Sequence, residues 1–305
     1  MNKLKVFTRR GCAWIWSKVG HVFGDEIYLK VRFLLLMGKK LNLKDPKTFS
    51  EKLQWLKLYN RRPEYTMMVD KYAVKEYVSS IIGKEYVIPT FGVWDRPEDI
   101  DWDTLPNSFV LKTTHGGGSN GVVICKDKST FDKKNAIKLL KKNMKQSDWS
   151  IGMEWPYKDV PHRIIAEEYL DSASDMSIIQ SCLADYKWYC FDGVPLYCQV
   201  IQGRSSDETI DFFDKDWNHQ DFIGLQPTAN NALTAPGKPV ELQRQIEIAR
   251  VLSKNKPFSR IDLYEVKGKV FFGEITLFPF SGMGSFRPDD YNLKLGQMLK
   301  LPVVF

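Results

Sequence analysis

The stretch FSRIDLYEVKGKVFFGEITLFPF, Phe258–Phe280, decides how this chain reads. Polar and apolar side chains alternate on both sides of Lys267-Gly268-Lys269, the period of a strand pair joined by a tight turn. Residues two apart share a strand face. Arg260 and Asp262 therefore project together from the first strand, and Glu274 and Thr276 from the second. Folding at Lys267-Gly268 brings Asp262 close to Glu274. Two carboxylates so placed repel each other unless a cation lies between them. Mg²⁺, which takes oxygen ligands and bridges carboxylates to nucleotide phosphates, suits that position. The plain alternative is a pair of surface carboxylates on an ordinary hairpin. The apolar neighbours Phe271, Phe272, Ile275 and Leu277 weaken it.

Upstream lies a second unusual stretch, FVLKTTHGGGSNGVVI, Phe109–Ile124, which reads as strand, glycine loop, strand. Taken alone, the loop is either a hairpin tip or a backbone cradle for phosphate. A Walker A loop needs Gly-Lys-Ser/Thr opening a helix, whereas this one ends in Gly121-Val122-Val123 and returns to a strand. A protein kinase places its strand lysine after the loop and supplies HRD and DFG downstream. Here Lys112 precedes the loop, "HRI" at 162–164 lacks the aspartate, and DFG is absent.

The remaining chain reads as mixed helices and hairpin-connected strands, an α+β class rather than a doubly wound parallel sheet. From Gly24 to about Tyr59 the pattern is helical, with Phe49, Leu53, Leu56 and Tyr59 on one apolar face and Thr48 or Ser50 as cap. YTMMVDKYAVKEYVSSIIG reads as one further helix, closed by Gly83. KKNAIKLLKKNMK and PVELQRQIEIARVLSK are helical; HRIIAEEYL, DYKWYCFDG, VPLYCQVIQGR and TIDFFDKDW are strand-like.

Composition bounds the function classes. With 305 residues, 43% hydrophobic and 13% aromatic, the chain is a packed protein, not a disordered one. A net charge of +7, spread along the chain, suits an anionic small molecule, an acidic membrane or an acidic polymer without choosing among them. Five cysteines, an odd number without CxxC spacing, argue against a disulfide framework or zinc site, and reduced thiols in a cytoplasmic protein are the expectation. The N-terminal MNKLKVFTRRGCAWIWSKVGHVF lacks the apolar core of a signal peptide. It is either a helix packed on the body or a basic amphipathic helix resting peripherally on the inner membrane.

Taken in order, "VDKY", "IGKEYVIP", "PNSFVLKTTHGGGSNG", "IIAEEYL", "DYKWYCFDG" and "SRIDLYEVKGKVFFGEIT" resemble the ATP-grasp superfamily, and within it the TupA-like group of bacterial polysaccharide biosynthesis. The resemblance covers most of the chain. It implies an ATP-grasp fold, in which two α+β lobes grip ATP, here behind a helical N-terminal extension. The boundaries that go with it are a helical region over 1–68, a smaller lobe over 69–170 and a larger lobe over 171–305. Lys71 and Lys112 look like the lysines reaching ATP phosphates, with Lys187 a third from the larger lobe. His115, Gly116, Gly117, Gly118, Ser119, Asn120 and Gly121 form the loop that would fold over those phosphates. Glu167 and Glu168 lie in the strand that usually meets adenine, and Asp175 is the candidate for the ribose. Asp262 and Glu274 match the metal carboxylates. Thr276 stands where many relatives carry asparagine, which puts the third ligand in doubt. Arg260 sits where a cation would steady an acyl phosphate and the tetrahedral intermediate. Gly282 and Gly284 would offer backbone N–H groups to that intermediate.

The implied chemistry is ATP- and Mg²⁺-dependent ligation of a carboxylate to an amine through an acyl phosphate. For this group the resemblance implies a uronic-acid or amino-acid carboxylate as the activated group, the partners being a carboxylated sugar, sugar nucleotide or lipid-linked glycan and an amine or amino acid. Two rivals share the sequence. A kinase on the same fold would present an identical ATP half-site. A glycosyltransferase would use a DxD triplet, and the chain has "DWD" at Asp101–Asp103 and "DKD" at Asp214–Asp216. Nucleic-acid binding has only the overall charge in its favour.

Overall fold

The computed structural model describes residues 3–116, 121–146, 148–170, 185–203, 208–225 and 229–303. Helices α1 (Lys3–Val19), α2 (Asp25–Met37), α3 (Phe49–Tyr59), α4 (Glu64–Val69) and α5 (Ala73–Ile82) come first. A first group of strands follows: β1 (Thr90–Trp94), β2 (Phe109–Thr113), β3 (Val122–Cys125) and β4 (Ile164–Glu168), with α6 (Lys133–Met144) and α7 (Asp148–Gly152) between the last two. Strands β5 (Asp185–Phe191), β6 (Val194–Gln202), β7 (Thr209–Asp214), β8 (His219–Gln220) and β9 (Ile223–Leu225) lead to α8 (Leu242–Ser253). The chain closes with β10 (Phe258–Val266), β11 (Lys269–Thr276), β12 (Ser285–Arg287) and α9 (Asp290–Met298).

Two antiparallel sheets organise these elements. The smaller has the order β1-β4-β2-β3 and the larger β11-β10-β5-β6-β7-β8, with β12 and β9 paired separately. Each sheet buries one face under helices. Phe109, Leu111, Cys125, Ile164 and Ala166 pack with Leu140 of α6 on the smaller sheet. On the larger, Trp188 lies in the core with α8 and donates its indole N–H to Gln245 Oε1 at 3.1 Å. Strand alternation then sends Lys112 and Glu167 to the other face of the smaller sheet, and Lys187, Arg260 and Asp262 to the other face of the larger.

Helix α3 begins as its sequence requires. The Thr48 hydroxyl accepts from the Glu51 amide while the Glu51 side chain accepts from the Thr48 amide, a capping box worth about 1 kcal/mol. Phe49, Leu53 and Leu56 are buried, but Tyr59 is exposed and lies against Trp55. The single helix expected over 65–83 is two helices broken at Asp70-Lys71-Tyr72. The Asp70 carboxylate accepts from the Tyr72 amide at 2.9 Å and pairs with Arg163 at 2.6 Å. The Lys71 amide donates out of the helix to the Thr114 carbonyl at 3.1 Å. A side chain competing for the local backbone thus ends one helix and turns Lys71 toward β2.

Candidate active site

The hairpin of β10 and β11 turns at Lys267-Gly268, both in the left-handed region with φ of 52° and 69°, the signature of a two-residue type I′ turn. Uniform pairing from that turn would set Asp262 opposite Gly273 and aim Glu274 at the apolar face. A bulge between Asp262 and Leu263 shifts the register instead, pairing Asp262 with Glu274 and Arg260 with Thr276. Gly273 is the extra residue, and a Cβ there would lie 3.0 Å from the Asp262 carbonyl oxygen. On the other side of β10, Asp262 pairs with Lys187 and Arg260 with Tyr189. Lys187, Asp262 and Glu274 therefore form one row across three strands.

Charge in this row is tightly compensated. Arg260 donates Nε to Asp262 Oδ1 at 2.6 Å and Nη2 to Asp262 Oδ2, Glu274 Oε1 and Thr276 Oγ1 at 2.7, 2.9 and 3.0 Å. Lys187 donates to Asp262 and also lies 3.0 Å from Asp185 Oδ2. Arg260, Asp262 and Lys187 are all buried, while the Glu274 side chain keeps 30% of its exposure. Burial pushes the Asp262 carboxyl up, against the pull of Arg260 and Lys187. Burial works the same way on Glu274, but Lys71, Arg260 and Lys187 overcome it and hold that carboxyl well below its usual range.

Lys71 ties this row to the smaller sheet. Its ammonium donates to the Gly116 carbonyl at the start of the glycine loop and acts electrostatically on Glu274 of β11. Gly116 has a φ of 85°, which a side chain would resist. The loop is closed at its base by the Thr113 amide donating to the Gly121 carbonyl at 3.2 Å. His115 is buried, stacked on His162 with centroids 3.5 Å apart, and its Nε2 lies 3.3 Å from the Asn143 carbonyl. Gly117, Gly118, Ser119, Asn120 and Asp175 lie outside the described residues.

Lys112 pairs with Glu167 Oε2 at 2.5 Å, and Lys75 takes Glu167 Oε1 at 2.6 Å. The Glu167 side chain is buried and committed to these two lysines, while Glu168 is exposed at the end of β4. Burial alone would raise Glu167; Lys112 and Lys75 bring it below its ordinary value. Lys75 and Asp185 were not picked out from the sequence, though spacing marks both. Lys75 follows Lys71 by four residues, and Asp185 shares the strand face of Lys187.

The segment after β11 runs through three consecutive left-handed residues, Phe280, Ser281 and Gly282, with φ of 50°, 53° and 62°. Phe280 and Ser281 carry side chains, so each costs about 1 kcal/mol or more in that region. A buried knot holds them. Lys57 Nζ donates to the Gly152 and Ser281 carbonyls at 2.6 and 2.7 Å, and Gln54 Nε2 donates to the Ser281 and Gly282 carbonyls at 3.0 Å each. Ser281 Oγ donates to Glu154. Gly284 sits against β9, where a Cβ would lie 2.8 Å from the Leu225 Cα, so close packing accounts for this glycine.

The acidic triplets fall into local turns. The Asp103 amide donates to Asp101 Oδ1, and the Asp216 and Asn218 amides donate to Asp214 Oδ1. The oxygen-only set of Asp262, Glu274 and Thr276 has the chemistry that Mg²⁺ takes. Among the described residues no three His, Cys, Asp or Glu side chains gather as a metal cage. Mg²⁺ needs none, because it commonly uses one or two carboxylates together with phosphate oxygens.

Solved structures to which this chain is similar include D-alanine–D-alanine ligase from Helicobacter pylori, 14% identical, covering 84% of this chain and 70% of that one with a TM-score of 0.41. The Bacillus anthracis D-alanine–D-alanine ligase complexed with ATP is 16% identical, with 76% and 63% covered and a TM-score of 0.42. The ATP-grasp ligase PsnB complexed with a minimal precursor, Mg and ADP is 13% identical, with 82% and 65% covered and a TM-score of 0.40. The chain thus spans less than two thirds of the latter two. No curated protein matches it significantly. A family model described as TupA-like ATPgrasp matches residues 51–300, from helix α3 through the whole of both sheets. The chain belongs to the TupA-like ATPgrasp family.

Proposed function

We propose that this protein is an ATP-dependent carboxylate–amine ligase that joins an amino acid or amine to a carboxylated sugar of a cell-surface polysaccharide. The observation that carries the reading is the row Lys187–Asp262–Glu274 with Arg260 bound into it, linked through Lys71 to the glycine loop. ATP held with Mg²⁺ would supply the γ-phosphoryl group to the carboxylate with ADP as the leaving group, and the amine would then displace phosphate from the acyl carbon, losing a proton as the amide forms. The protein's part is position and charge compensation. Asp262, Glu274 and Thr276 would hold the metal. Lys71, Lys112 and Lys187 would meet the phosphates, and Arg260 would offset the negative charge that develops beside them. The glycine loop would exclude water, which competes for any activated acyl group. Lobes over 69–170 and 171–305, each contributing one sheet face, belong to the same proposal.

Turnover decides it. Purified protein with ATP, Mg²⁺ and pairs of uronic-acid units and amines should release ADP and phosphate only when both partners are present. Glu274→Gln should abolish that release with the fold intact, and Lys112→Ala should weaken ATP binding. A phosphate ester as product would identify a kinase. Full activity in both variants would remove the site from consideration.

A further inference from the structure

The two N-terminal helices carry a surface that the ligase reading does not use. Helices α1 and α2 form a hairpin whose inner side is firmly docked. Tyr28, Leu29 and Phe33 are buried with Leu41, Leu43 and Met153, and the Tyr28 hydroxyl donates to the Ile151 carbonyl at 2.9 Å. Trp16 donates its indole N–H to the Tyr28 carbonyl at 3.1 Å and stacks on Phe23 and Tyr28. The outer side is unlike this. Trp14, Ile15, Val19, Val22, Phe23 and Ile27 are between 51% and 82% exposed. All six fall within one stretch around the turn Gly20–Phe23, at the tip of the hairpin. Scattered exposed apolar residues are ordinary, but a concentration at one projecting end marks a surface that another phase or molecule covers.

Charge tells which. The described basic side chains of helix α1 are Arg9, Arg10 and Lys18, and the helix sequence has no acidic residue. The two carboxylates that open α2 are already paired, Asp25 with Arg61 at 2.5 Å and Glu26 with Lys30 at 2.5 Å. The tip therefore combines exposed Trp, Phe, Ile and Val with a helix of wholly positive charge. A second copy of this chain packed tip to tip would set these cations against their own copies. An anionic phospholipid surface instead offers negative headgroups to the lysines and arginines and an acyl boundary to the apolar tip. Among the described residues no helix is long and apolar enough to cross a membrane.

We infer that the tip of the α1–α2 hairpin docks the protein on anionic membranes, Val22 and Phe23 entering the headgroup region while Arg10 and Lys18 contact lipid phosphates. This inference stands independently of the proposed ligase activity. The test is co-flotation of the full chain with phosphatidylcholine vesicles, with and without phosphatidylglycerol. Binding is expected only with phosphatidylglycerol, and it should weaken as salt is raised. Arg10→Ala with Lys18→Ala should reduce vesicle affinity about 30-fold, from roughly one cation's surface attraction each. Val22→Asp with Phe23→Asp should abolish flotation while leaving the melting temperature within a few degrees of wild type. Equal binding to both vesicle types, or none to either, overturns the inference. So does undiminished flotation of the aspartate variant, or a concentration-dependent dimer that this variant loses.

Discussion

Glu167 holds two lysines with one carboxylate, and that determines what it does in the free protein. Its oxygens are taken by Lys75 and Lys112, with little solvent near any of the three. The family resemblance implied an adenine-side role for Glu167, whereas the fold turns its side chain to the two lysines. Removing one member of a buried pair leaves the others without compensation, a loss of about 3–5 kcal/mol. Glu167→Gln should destabilise the protein by that order, read by urea unfolding near neutral pH. The pH dependence follows from the sign of the shift. The folded carboxyl lies below its ordinary value of 4.5, so its contribution is complete above that pH and is lost as pH falls through the folded value. The gap between wild type and variant should therefore stay constant around neutrality and narrow below about pH 4.5. A gap that persists unchanged into acid would show that the ion pairs contribute nothing to stability.

At the scale of elements, the hairpin of β10 and β11 shows where sequence reading stops. Its turn was legible in Lys267-Gly268, its alternation in Arg260 and Asp262, and its second carboxylate in Glu274. The bulge was not. Counting outward from a two-residue turn puts Glu274 on the wrong face, and only the extra residue Gly273 returns it to Asp262. A bulge leaves little trace in composition because it depends on how two ladders meet, although a glycine inside a strand pattern is its usual mark. The break between α4 and α5 escaped notice similarly, since Asp70-Lys71-Tyr72 fits a helical period and is undone by contacts with Thr114 and Arg163. A β-branched side chain at 273 would press on the Asp262 carbonyl and the Tyr264 ring. Gly273→Val should cost about 1–3 kcal/mol through overpacking. It should also abolish the Mg²⁺-dependent part of any ATP-induced thermal shift, because Glu274 would leave the Asp262 face. Wild-type stability together with an intact Mg²⁺ response would refute the role given to the bulge.

Across the whole molecule, segments far apart in sequence converge on the strained loop after β11. Lys57 comes from α3, Gly152 from the end of α7, and Ser281 from the loop itself. The basic and apolar pattern of DPKTFSEKLQWLKLYN gives Lys57 the look of a solvated side chain, yet it is fully buried. Only Gln54 Oε1, one turn back, is a local acceptor; the Gly152 and Ser281 carbonyls come from distant segments, which the local pattern does not announce. Burial lowers its ammonium to about 7, partly offset by Glu154. Between that value and 10.5 the unfolded chain binds more protons at this lysine than the folded one, so its stability contribution rises with pH across the interval. Lys57→Met should therefore lose about 2 kcal/mol at neutral pH, from the Gly152 carbonyl and the Gln54 amide oxygen left without this donor. Its deficit relative to wild type should grow as the pH is raised toward 9 or so, within the window set by the lysine's shifted and ordinary values. Urea unfolding at several pH values reads this directly, and a deficit that shrinks or stays level would contradict the buried, depressed lysine. Released from Lys57, Phe280 and Ser281 should relax out of the left-handed region, so the variant should also be cleaved faster by protease at that loop. Unaltered cleavage would mean that Gln54 and Glu154 hold the loop in place without Lys57.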